Sequence, residues 1–103
     1  MQRHERNEPL PTEMQGTWVD IDDSSSQLIV SGAELVCFGK PVAYDFKLID
    51  REDGALTVSL KTDDPANEDT FQRANITELV ITPEGDFHAY NVKFAIQFVR
   101  PEG

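Results

Sequence analysis

The sequence predicts an all-β fold: one small antiparallel up-and-down β-barrel, lipocalin-like in plan, of about eight short strands. Three observations carry this. Short runs rich in Val, Ile, Leu and aromatic residues recur at roughly ten-residue spacing, divided by Gly, Pro, Asp and Ser clusters. Several runs alternate apolar and polar residues with the period of two that a pleated strand imposes. No apolar 3.6-residue period lasts long enough for a long helix. Consecutive hairpins favour up-and-down order, and closure protects edges so rich in Val, Ile and Phe.

Residues 1–13 are charged and polar, with Pro9 and Pro11 around Leu10. Such a stretch buries too little apolar surface to offset its ordering entropy, so a flexible N-terminal tail is expected. Residues 14–103 are expected to form a single barrel domain. Gly16 to Ile21 opens it as a strand holding the sole Trp, which, as the largest apolar group, is placed inside. Asp22 to Ser26 reads as a tight connection. Gln27–Ser31 and Glu34–Phe38 are short strands joined through Gly32 and Ala33 as a hairpin.

From Val42, the residues Val42, Tyr44, Phe46 and Leu48 alternate with Ala43, Asp45, Lys47 and Ile49, predicting one long strand with the first set buried. After an Arg51–Gly54 turn, Leu56, Val58 and Leu60 repeat the alternation, predicting a hairpin. Thr62 to Asp69 reads as a long acidic loop with one helical turn open to Pro65–Glu68. Thr70–Arg73 is expected as a short strand, and Ile76–Thr82, Phe87–Asn91 and Lys93–Arg100 as better ones. The Pro83-Glu84-Gly85-Asp86 stretch supplies a turn.

Nineteen Asp and Glu against nine Lys and Arg give a net charge of -10. Nucleic acids and anionic membranes need basic surfaces, so neither is an expected partner. The lone Cys37 allows no intrachain disulfide, and residues 1–13 lack the apolar centre of a signal peptide. If Met1 is the native start, a cytoplasmic location follows as the expectation.

Gly16-Thr17-Trp18, at the start of the first strand, resembles the Gly-x-Trp signature of lipocalin-like (calycin) barrels. The Gly-bounded third strand, the Tyr-bearing long strand, the Pro-Glu-Gly-Asp turn and the closing Phe98-Val99-Arg100 are similar too. The resemblance implies that Trp18 packs across the barrel floor near an Arg of the last strand. Arg100 is the position for that role, its guanidinium stacked on the indole. It also implies a small apolar ligand in the barrel mouth. The chain is shorter than that family's usual barrel and lacks its flanking helix. Its aromatic side chains therefore either line a cavity or plug it.

Chemistry is sparse. Cys37 with His88 is the one nucleophile–base pair to weigh, and no enzyme activity is expected from it. Asp20–Asp23 lacks the Gly and Glu of a calcium loop, and Asp63-Asp64 with Glu68-Asp69 reads as solvated charge, so no metal or cofactor is expected. Asn75-Ile76-Thr77 matches a glycosylation acceptor, idle without secretion. The expected function is non-enzymatic binding of a small apolar ligand by Trp18, Tyr44, Phe46, Tyr90 and Phe94. The alternative is a protein-interaction module with a filled barrel and an acidic surface, with a homodimer as one form.

Overall fold

The computed structural model describes residues 2–74 and 76–101. Ten strands form one antiparallel sheet curled into a half-barrel. They are β1 (Gln2–Glu5), β2 (Gly16–Asp20), β3 (Asp23–Ser31), β4 (Glu34–Cys37), β5 (Lys40–Pro41), β6 (Phe46–Glu52), β7 (Ala55–Lys61), β8 (Glu78–Ile81), β9 (Phe87–Tyr90) and β10 (Ala95–Val99). One short helix, α1 (Glu68–Ala74), follows a 3-10 turn at Pro65–Asn67. The order across the sheet is β1-β6-β7-β8-β9-β10-β2-β3-β4-β5. Two runs of sequential antiparallel neighbours, β2 to β5 and β6 to β10, the second with α1 between β7 and β8, are thus joined where β10 pairs with β2.

The all-β antiparallel expectation holds, and three details are corrected. There are ten strands rather than about eight, because β1 arises within residues 1–13 and β5 follows the Phe38-Gly39 turn. The barrel is open, with β1 and β5 as its edges. β5 is two residues long, and its Pro41 has no N–H to offer a further strand. β1 meanwhile occupies the edge of β6 that closure would need.

The third correction is Thr70–Arg73, which is helical. The Asp64 carboxylate accepts the Ala66 N–H at 3.0 Å, and Pro65 pre-sets the first helical φ. Glu68 and Asp69 then face the positive end of the helix dipole, and Asp69 pairs with Arg73 one turn on at 3.3 Å. These local terms outweigh the strand preference of Thr and Phe.

The expected β6–β7 hairpin forms from Phe46↔Lys61 to Glu52↔Ala55. Its turn residues, Asp53 and Gly54, both have positive φ, as a two-residue turn that follows strand twist requires. The buried face of β6 is not the expected one. Val42 and Tyr44 are buried, but so are Lys47 and, in part, Ile49, while Phe46 lies on the outer face under Arg3. The reason is a break at residues 42–45, which cross the open seam and are not strand. The Asp45 N–H donates to the Lys61 carbonyl, and its carboxylate accepts from the Thr62 hydroxyl and the Asp63 N–H. That bend resets the phase of the alternation.

The concave face is filled. Trp18, Leu28, Val30, Leu35, Leu56, Val58, Leu60, Leu79, Phe87 and Phe98 are all buried there, joined by Leu10, Met14 and Ile76 from outside the strands. Leu10 is 2 % exposed although it lies among residues 1–13, and its N–H donates to the Gly32 carbonyl at 2.9 Å. Among the described residues no helix is long and apolar enough to cross a membrane.

Candidate functional site

Antiparallel connectivity puts the β4–β5 turn, α1 and the β9–β10 turn at one end of the half-barrel. A cleft of about 330 Å³ opens to solvent between them. Its apolar walls are Phe38, Pro41, Val42, Ile76 and Phe94, with Cys37 at the side. Its polar groups are Lys40, Arg73 and Asn91.

Phe38 is unusual in backbone as well as exposure. It takes the first position of the Phe38-Gly39 turn with φ of 54°, a left-handed conformation that costs a bulky residue of the order of 1 kcal/mol. Its N–H is held by the Gln27 carbonyl at 2.8 Å. The ring packs against Phe98 at 6.2 Å, yet the residue stays 43 % exposed. Phe94, from the β9–β10 turn, is 46 % exposed in the same cleft. The Asn91 side-chain amide donates to the Gln72 carbonyl at 2.9 Å, which ties the last turn of α1 to the β9–β10 turn. The α1 and β9–β10 sides of the cleft are therefore fixed relative to one another.

Of the five residues expected to bind ligand, Phe94 alone lines this cleft, and the structure does not bring the other four to it. Trp18 is 7 % exposed inside the sheet, edge-on to Phe87 at 4.5 Å. Its indole N–H donates to the Met14 carbonyl at 2.9 Å, and the Arg100 guanidinium covers its face at 3.7 Å, the stacking that the Gly-x-Trp resemblance implies. Tyr44 is buried at the seam. Its hydroxyl donates to the Ala33 carbonyl at 2.6 Å and accepts from Lys47 Nζ at 3.3 Å, so it is spent on structure. Phe46 is outside under Arg3, and Tyr90 stacks on His88. Reading from the sequence alone missed Lys40 and Arg73. The available signal was Lys40 directly after Phe38-Gly39; nothing local pointed to Arg73.

The remaining chemistry is dispersed. Cys37 lies beside the cleft, and burial pushes its thiol up to about 11, away from the thiolate that a nucleophile needs. His88 is on β9 against Tyr90, with no hydrogen bond to Cys37 among the described residues. The Asp23 carboxylate accepts from Ser25 and Ser26, and these bonds hold its pKa below the ordinary range. Among the described residues no group of three or more His, Cys, Asp or Glu is gathered to hold a metal ion. Asn75, the acceptor of the glycosylation match, lies outside the described residues.

Comparison with known protein families, curated proteins and solved structures finds no match to this chain.

Proposed function

We propose that this chain is a non-enzymatic binder of a small apolar ligand, held in the cleft between Phe38 and Phe94. One observation carries the reading: two large aromatic side chains, 43 % and 46 % exposed, line one cleft of about 330 Å³. That volume is at the lower end of the range for small-molecule pockets. Covering the exposed parts of both rings contributes roughly 2 kcal/mol. The same reading takes the architecture as a reduced lipocalin-like barrel, supported by the stacking of Arg100 on Trp18 beside Gly16. Because side chains fill the interior, binding moves from the barrel's centre to its rim.

The test is an amide-resolved NMR titration with ten-carbon compounds of different head groups. Shifts should gather at residues 37–42, 76 and 91–94, and Phe94→Ser should weaken binding at least tenfold. No shift with any compound, or shifts spread evenly over the chain, contradicts the reading.

A second reading keeps some support. Val92 is 59 % exposed near Phe94, and β1 is an open edge, so a protein partner or a second copy has a surface to meet. Light scattering that reports a monomer at high concentration removes the self-associating form.

A further inference from the structure

The chain carries ten more acidic than basic residues, yet the cleft does not share that excess. Among the described residues its lining includes Lys40 and Arg73 and no Asp or Glu. Four other surface clefts each carry at least one carboxylate: Glu68, Glu13, Asp45 and Asp20 respectively. Carboxylates are thus absent from the cleft that has the most exposed aromatic surface.

Both cations are available to a ligand. Lys40 makes no ion pair among the described residues. Arg73 pairs with Asp69 at 3.3 Å, but those side chains are 65 % and 76 % exposed. Such a surface pair is weak and exchanges readily for a better-placed anion. The guanidinium also offers donors beyond the Nε in that pair. Asn91 acts as a positioning residue: its amide reaches the Gln72 and Arg73 carbonyls at 2.9 and 3.5 Å and so fixes the helix end from which Arg73 projects.

We propose that the ligand is an anionic amphiphile, its apolar body between Phe38, Val42, Ile76 and Phe94 and its carboxylate at the rim against Lys40 and Arg73. This rests on the cleft being the binding site and adds the class of ligand. Net protein charge repels an anion at long range, so recognition depends on these two cations at short range, where a Debye length of about 8 Å at physiological salt screens the rest.

Calorimetric titration with decanoate, decanol and decylamine tests it. Decanoate should bind about tenfold more tightly than decanol at physiological salt, where the long-range repulsion is screened, with decylamine the weakest. The advantage should shrink as sodium chloride is raised well above that level and the short-range pairs are screened too. In the Lys40→Gln/Arg73→Gln variant, decanoate should fall to the affinity of decanol, with decanol binding unchanged and the Trp18 emission spectrum confirming the fold. Decanol binding the native chain as tightly as decanoate overturns the anionic head and leaves the cleft as a binding site. An unaltered decanoate advantage in the double variant overturns the assignment to these cations. Failure of all three compounds to bind removes the cleft itself, and the inference with it.

Discussion

Gly16 has no side chain because Arg100 needs the space. A Cβ there would collide with the Arg100 guanidinium, and the backbone φ of +114° is closed to most L residues. The vacant position leaves room for the guanidinium over the Trp18 ring, which also meets Phe87 and donates to the Met14 carbonyl. Gly16→Ala should therefore cost about 1–3 kcal/mol in urea unfolding, and Arg100→Ala about 1 kcal/mol. Together they should cost less than the sum, because removing Arg100 clears the collision and leaves only the backbone strain. Strict additivity would show that the two positions are not coupled.

Lys47 is the other residue whose chemistry conflicts with its place. It is fully buried, its Nζ donating to the Glu5 carbonyl at 2.8 Å and the Tyr44 hydroxyl at 3.3 Å. Burial, then the nearby Arg6, push its pKa below the ordinary lysine range. A folded-state pKa below the unfolded one means that the charged form is penalised by folding, so stability rises with pH through the window just below 10.5. Lys47→Met keeps the length, gives up two hydrogen bonds and removes the penalty. It should be neutral or stabilising by about 1 kcal/mol at pH 7 and should abolish that alkaline rise. A clear loss of stability in denaturant unfolding would mean that the two bonds outweigh the desolvation.

At the scale of elements, the segment before β2 acts as a strap. β1 pairs with β6 from Gln2↔Ile49 to Glu5↔Phe46, and Arg6 crosses the seam to the Ala33 carbonyl and Glu34 at 2.8 and 2.9 Å. The strap's far end is tied by Glu13 to Arg51, at the end of β6. Arg51 beside Glu13 holds that carboxyl at about 2, against an ordinary 4.5. The depressed pKa makes the contribution complete above about pH 4.5 and lost as pH falls towards 2. Both side chains are well exposed, so solvent screening leaves the pair only a small contribution. Arg51→Gln should lower stability slightly at pH 6, with the difference from the native chain vanishing by about pH 2 in acid titrations of unfolding. A difference that persists there would place the effect outside this ion pair.

These elements also mark where local sequence stops being informative. The β6–β7 and β3–β4 hairpins were legible because Asp53-Gly54 and Gly32 announce their turns between runs of clear period. Lys47 was misplaced because the alternation from Val42 runs unbroken in the sequence, while the chain bends at Asp45 to hydrogen-bond a strand sixteen residues on. β1 could not be read at all: four polar residues become a strand only beside a free edge of β6, which is a property of the sheet. A helical turn was legible at Pro65, but the part of α1 that follows, Thr70–Arg73, carried a strand's composition. In the cleft, Phe94 was found as an aromatic near the end of the chain. Lys40 and Arg73 were not, since what selects them is meeting across a gap between distant turns.

At the scale of the molecule, a filled concave face and an open seam divide the labour. Met14, Trp18, Phe87 and Phe98 make the interior a core, and the seam between β5 and β1 is bridged by side chains instead of strand pairing. The proposed ligand site is the rim, where Phe38 and Phe94 stand out of the core on two turns. Trp18 lies opposite Leu28, which lies opposite Cys37, so the Trp18 backbone is two strand spacings, about 10 Å, from that of Cys37 at the cleft. That separation distinguishes binding at the rim from binding within the barrel. The decisive measurement is of intermolecular nuclear Overhauser effects between decanoate and the ring protons of the protein. Contacts from the acyl chain to Phe38 and Phe94, with none to Trp18, are the result expected here; contacts to the Trp18 indole would put the ligand inside the sheet and contradict the account.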